Sequence, residues 1–412
     1  MECIVNARGV ISEALEGPLA AYIGSFSKSV NDQGYTLDSV KKQTRIAAFF
    51  SRWLEQKAVL LRDVSTEHAT RFLQNRARRR RPCPGDLAAL RRLIDFLRCQ
   101  NVISAQNLAP TPLTPVERCV QAFEQYLREE RALAGATIIN YVPFIRSFLK
   151  DRFDDGQVTL SRLLAGDVVR FVQCQAPRLH LKRAKLMTTA LRSFLRYARY
   201  RGEVSLDLAA AVPVVANWSM TSIPRAIAAD QVRQLLISID RRTAMGRRDY
   251  AILILLARLG LRSGEVAFLE LDDLDWNAGR LSVRGKSGRR SDLPLTAEVG
   301  NAIAAYLRRG RPHSTSRRVF LRAKAPVRGF RGASGVGSIV RHSLKRAGVN
   351  APTLGAHQFR HGLATEMLRQ GASLAEIGEV LGHRHPQTTK IYTKVDMKAL
   401  RMLALPWPGG VR

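Results

Sequence analysis

The chain has 412 residues, 46% of them hydrophobic, which suffices for two or three domains with sizeable cores and excludes a disordered basic tail. Lys and Arg number 66 against 34 Asp and Glu, a formal charge of +32, so the partner to expect is a polyanion, nucleic acid first. No stretch approaches the ~18 consecutive apolar residues of a membrane span, the opening residues lack a charged segment followed by an apolar one, and the five cysteines form no C-x-x-C pair. These features lead us to expect a cytoplasmic protein without disulfides or membrane attachment.

Proline-bearing breaks at Pro110 to Pro115 and at about Val212 to Pro224 predict three segments, 1–110, 113–212 and 222–405. In the first, apolar spacings of three and four predict about four amphipathic helices, the last carrying Leu90, Leu93, Ile94 and Leu97. The second repeats the plan at an offset of 99 to 101. A-F-E-Q-Y-L at 122–127 answers A-Y-I-G-S-F at 21–26, and G-A-T at 135–137 answers G-Y-T at 34–36. G-D-V-V-R-F-V at 166–172 answers E-H-A-T-R-F-L at 67–73, so the first segment reads as a duplicate of the second. Both copies place cations before their last helix: Arg76, Arg78, Arg79, Arg80 and Arg81 in one, Arg178, Lys182, Arg183 and Lys185 in the other. Recurrence at equivalent places points to DNA phosphate contacts by Arg78 to Arg81 and by Lys182, Arg183 and Lys185.

The third segment predicts helices at Asp230–Ile239 and Arg248–Leu259, the latter nearly all apolar and therefore buried. Two short strands, Arg280–Val283 and Ser291–Leu295, bracket Gly285-Lys286-Ser287-Gly288 as a hairpin. Further helices are expected at Ala297–Arg309, Gly337–Ala347, His357–Gln370 and Leu374–Leu381. The fold class is mainly α with a small antiparallel β-sheet, the last segment being α+β.

Three patterns fail as chemistry. His357 and His361 stand one helical turn apart, but position 358 is Gln where a metalloprotease needs a Glu base. Asp272 and Asp273 follow a helix end and read as caps rather than a magnesium site. Gly332 to Ser338 has no G-K-[ST] and reads as a loop. No metal is expected. What remains is a series of cations and imidazoles leading to one tyrosine. Arg262 lies in G-L-R-S-G-E, Lys286 on the hairpin tip, His357 and Arg360 on one helix face, His383 after Leu381-Gly382, and Tyr392 nine residues later.

In this order and spacing, over about residues 222–400, the residues resemble the tyrosine recombinase (phage integrase) family, whose pattern is G-L-R-x-x-E, a hairpin Lys, H-x-x-R, G-H and a Tyr. Glu265 and His361 match the family's supporting positions. Gly362, where Ser or Thr is usual, and Lys394, where His is common, depart from it. The resemblance implies helical SAM-like core-binding domains followed by a tyrosine-recombinase catalytic domain. It implies a site-specific recombinase or integrase, cleaving and rejoining DNA through a 3′-phosphotyrosine on Tyr392 and serving a mobile element, without cofactors. The implied partners are double-stranded target sites and further protomers, two per site and four in the synapse, alone or with related recombinases, at the nucleoid. The apolar residues of the stretch from Asp396 to Leu405 would suit exchange with a neighbouring protomer.

Elementary chemistry fits these residue types. A phosphodiester under attack gains charge on its non-bridging oxygens, which two fork-shaped guanidiniums, Arg262 and Arg360, would balance in place of magnesium. A phenol with an ordinary pKa of about 10 needs an accepting imidazole, here His357 as base or relay. His383 would donate to the phosphate, and Lys286 would protonate the departing 5′-oxygen. Two rivals stand beside this reading: a type IB topoisomerase with the same phosphotyrosine chemistry, and a DNA-binding accessory protein whose chemistry has lapsed.

Overall fold

In the computed structural model of the chain, the described residues are 5–6, 9–10, 16–78, 81, 83–103, 113–154, 156–215, 225–285, 288, 290–383 and 385–395. A two-residue ladder, β1 (Val5–Asn6) against β2 (Gly9–Val10), precedes the four helices α1 (Ala20–Asp32), α2 (Leu37–Gln56), α3 (Thr66–Ala77) and α4 (Asp86–Cys99). The hydroxyls of Thr36 and Ser65 accept from the backbone N–H groups of Ser39 and His68, closing the first turns of α2 and α3. Phe26, Phe50, Leu90, Leu93 and Leu97 are buried together in a core of their own.

The second bundle repeats this count with α5 (Pro115–Glu129), α6 (Gly135–Phe153), α7 (Ala165–Gln175) and α8 (Leu181–Tyr200). Thr114 caps α5 by accepting from Glu117 N–H at 3.2 Å, with Pro115 in the first turn where its missing N–H costs nothing. Phe123, Phe148, Phe171 and Phe194 fill its core, Phe123 meeting Phe194 edge-on at 5.3 Å. In both bundles a three-residue 3₁₀ turn, Leu61–Asp63 or Leu160–Arg162, separates the second helix from the third.

The last segment holds α9 (Ala229–Ile237), α10 (Ala244–Arg258), α11 (Ser263–Phe268), the strands β3 (Leu274–Asp275), β4 (Arg280–Arg284) and β5 (Arg290–Pro294), and α12 (Ala297–Arg309). The helices α13 (Ala333–Arg346), α14 (His357–Arg369), α15 (Leu374–Val380) and α16 (Pro386–Thr389) follow, and a 3₁₀ turn spans Lys390–Val395. The strands form one antiparallel sheet in the order β3-β4-β5, with Leu281 opposite both Leu274 and Leu293. The expected pairing of β4 with β5 and the mainly helical fold with a small antiparallel sheet are therefore present. Helix α10 is the buried axis of this segment, Ala251 to Leu256 being wholly enclosed.

One expectation is overturned. The glycine-rich stretch Gly332 to Ser338 is not a loop: α13 begins at Ala333, four residues ahead of the predicted start. The reason is packing, since a Cβ on Gly335 would come within 2.5 Å of the Phe330 ring. The bare backbone is a close approach, not a hinge. Of the acidic run, Asp273 caps its own turn, accepting from Glu270 N–H at 2.9 Å, whereas Asp272 pairs with Arg317.

Two compact units divide the chain, Met1–Ala105 with Met220–Arg412 and Gln106–Ser219. Within the first unit, Val327 N–H donates to Gln33 O at 2.8 Å, tying the turn after α1 to the stretch between α12 and α13. Among the described residues no helix is long and apolar enough to cross a membrane.

Candidate active site

The site begins where α10 ends. Gly260 turns the chain out of the helix in the left-handed region, φ +60°, which a side chain rarely adopts. Two residues on, Arg262 occupies the N-cap of α11, and Glu265 serves it twice. One carboxylate oxygen accepts from Arg262 N–H and the other from its guanidinium, each at 2.7 Å. Glu265 thus orients the arginine and neutralises it.

Arg360, on the first turn of α14, is 5% exposed. Its guanidinium donates to Gly260 O at 2.8 Å and to Leu381 O, joining the ends of α10 and α15 to α14. Both partners are neutral carbonyls. Burial, then the neighbouring Arg262, pull its pKa down to about 10.

Tyr392 lies on the Lys390–Val395 turn, 1% exposed, against Ala364, Ile377 and Leu381. Its hydroxyl is 3.0 Å from His361 Nδ1, and the two rings meet edge-on at 5.7 Å. Burial pushes the phenol above its ordinary pKa, against the pull of Arg360. Burial, then His357 and Arg360, lower that of His361, so its ring is neutral at pH 7 and its Nδ1 can accept the phenol proton. His357 stands one turn earlier on α14, exposed, its ring centroid 6.4 Å from that of His361. The histidine whose ring nitrogen meets the Tyr392 hydroxyl is therefore His361.

His383 follows Gly382, and its ring lies parallel to that of Tyr392, 6.5 Å away. Its Nδ1 is 2.8 Å from Thr389 Oγ1. Burial, then Arg360, Arg262 and His361, depress its pKa to about 4. Arg262, Arg360, His361, His383 and Tyr392 are thus brought together from four separate stretches of chain. The sequence reading assigned nothing to Thr389, although it sits three residues before Tyr392.

Lys286, Arg79, Arg80 and the stretch from Asp396 to Leu405 lie outside the described residues, although β4 and β5 bracket Lys286. Arg78 and Arg81 are exposed, Arg78 at the C-cap of α3. Lys182, Arg183 and Lys185 are exposed in the first turns of α8, which hold no acidic residue. Cations at a helix N-terminus oppose its dipole, so these three are not there for the helix.

The phage integrase family model matches residues 225–399, and that of the phage integrase N-terminal SAM-like domain matches residues 120–202. "Putative integrase/recombinase y4rA" of Sinorhizobium fredii (strain NBRC 101917 / NGR234) is 60% identical over 409 residues, covering 99% of each chain. Tyrosine recombinase XerD of Mycobacterium tuberculosis (strain ATCC 25618 / H37Rv) is 30% identical over 309 residues, covering 70% of this chain and 96% of its own. Among solved structures, XerH site-specific recombinase bound to palindromic difH substrate superposes with a TM-score of 0.55 at 19% identity, over 75% of this chain and 93% of that one.

Proposed function

The chain belongs to the phage integrase family of tyrosine recombinases, and from that premise we propose that it is a site-specific DNA recombinase whose nucleophile is Tyr392. The observation that carries this reading is a phenol enclosed with two guanidiniums and two imidazoles, among which, within the described residues, Glu265 is the one bonded carboxylate. Among the described residues the hydrogen bonds of Arg360 go to carbonyls, and the anion that would pair with it is a phosphate.

The Tyr392 oxygen forms a bond to phosphorus while the bond to the 5′-oxygen breaks. The phenol proton passes to His361 Nδ1, which takes over the base role expected of His357. Lys286, between the hairpin strands, gives the departing 5′-oxygen its proton. Arg262, Arg360 and His383 balance the charge that builds on the non-bridging oxygens. The 3′-phosphotyrosine conserves the bond for rejoining, so neither ATP nor metal enters. The exposed cations of α8 and the Arg78–Arg81 stretch hold the backbone of the duplex, and the matching four-helix plans support the reading of residues 1–110 as a second core-binding bundle. Two protomers occupy each site and four the synapse, in the cytoplasm at the nucleoid, for a mobile element.

The test is a nicked target duplex incubated in excess EDTA. The wild type should form a covalent protein–DNA complex, and Tyr392→Phe should form none while binding the same duplex equally well. A covalent complex from Tyr392→Phe, or a strict need for magnesium, would overturn the assignment. Recombination only at a defined site, without relaxation of arbitrary supercoiled plasmids, separates it from a topoisomerase.

A further inference from the structure

We propose that Thr389 is a positioning residue that holds the His383 imidazole as its Nε2–H tautomer, so that the ring's single proton is offered to the scissile phosphate. The proposal deepens the reading above and rests on it for the role of His383. Its observations are independent of DNA.

Thr389 closes the four-residue helix α16 and is 2% exposed. A hydroxyl so enclosed must place its own proton on an acceptor or lose a hydrogen bond worth about 1–3 kcal/mol when left unmade. The bond to His383 Nδ1, 2.8 Å, is the one its oxygen makes among the described residues. If Nδ1 carried the ring proton, the hydroxyl could only accept there, and its own proton would have no partner. If the hydroxyl donates, both groups are satisfied and the ring proton resides on Nε2. The ring is neutral at working pH, so it owns one proton and the choice between its nitrogens decides which edge can donate.

The surroundings are shaped for this contact. Gly378 leaves room for the hydroxyl, since a Cβ there would stand 3.1 Å from Thr389 Oγ1. The carbonyl of the same glycine accepts from His383 N–H at 2.8 Å, fixing the backbone from which the ring projects. Among the described residues no hydrogen bond occupies Nε2, and the ring lies beside Tyr392 under the field of Arg360 and Arg262. The edge left without a partner among the described residues is thus Nε2, on a ring whose other edge is tethered to Thr389 and whose neighbour is Tyr392.

The experiment compares wild type, Thr389→Val and Thr389→Ser. Valine keeps the shape and removes the hydroxyl; serine keeps the hydroxyl. Nitrogen-15 NMR of the free protein reads the tautomer, and single-turnover cleavage of a nicked duplex reads the chemistry. The proton should lie on Nε2 in wild type and Thr389→Ser. Thr389→Val should show both tautomers and cleave about 10–100-fold more slowly, the usual worth of an orienting partner. A wild-type ring protonated on Nδ1 would overturn the proposal, and so would a Thr389→Val protein that keeps Nε2–H or cleaves at the wild-type rate. The tautomer is measured without DNA, whereas failure of the wild type to cleave through Tyr392 would count against the functional reading alone.

Discussion

Burial among cations lowers the pKa of both His361 and His383, and in the proposed reaction the two neutral rings act in opposite ways, one accepting a proton and the other donating. Replacing His361 by Ala removes the acceptor 3.0 Å from the phenol, and cleavage should fall about 100-fold, the lower end of general-base effects. Added imidazole should restore part of the rate, measured in the same single-turnover assay; a purely structural loss would not respond. Neutrality also has a cost that pH exposes. His383 titrates near 6.5 when unfolded and at about 4 when folded, so between those values the unfolded chain binds a proton the folded one refuses. Stability therefore falls as pH drops from about 6.5 towards 4, and above 6.5 this group contributes nothing to the slope. The lowered pKa of His361 acts in the same direction. Urea denaturation on either side of that range should show the loss, and His383→Asn should shrink it.

Helix α14 carries Arg360 and His361, and its seating decides whether they reach the site. Gly362 is the point of closest approach: a Cβ there would lie 2.8 Å from Ile227 O, just ahead of α9. Ile227 N–H also donates to Gln358 O at 3.3 Å, so this strip of chain lies directly on the helix. Gly362→Ala should cost about 1–3 kcal/mol by overpacking, read from chemical denaturation. The Ser or Thr usual at this position would meet the same contact with Ile227 O. Helix α12 was legible to its last residue, because Thr296 precedes it, Gly310 follows it and apolar residues keep one face. Helix α13 was not, since composition alone cannot tell a glycine that frees a loop from one that admits a phenyl ring. The site divides in the same way. Arg262, Arg360, His383 and Tyr392 were readable as a spaced pattern along the chain. That Tyr392 meets His361 was hidden, because His357 and His361 lie on one face of α14 and the approach of the Lys390–Val395 turn separates them. Thr389 escaped for the same reason: a hydroxyl's partner is a tertiary fact.

At the scale of the molecule, a charge of +32 exceeds what one catalytic site can use, and the surplus suits contact with a DNA backbone. Each cation that contacts a phosphate adds about 0.9 to the slope of log affinity against log salt. Neutralising Arg78 and Arg81 together should lower that slope by up to about 2 and weaken binding to all sequences alike, measured by titration at several salt concentrations. An unchanged slope would make that stretch a solvated edge.

The bond between Val327 and Gln33 means that the first bundle folds against chain made much later. At roughly 5–20 residues per second on the ribosome, the interval between completing residue 105 and reaching residue 327 is on the order of tens of seconds. Through that time the bundle has only its own Phe and Leu core to hold it, and the backbone at Gln33 faces water. The second bundle is finished meanwhile, in between. The nascent chain thus owns two helical bundles before Arg262, and long before Tyr392, has been added, so on the proposed roles its grip on DNA would mature ahead of its ability to cut.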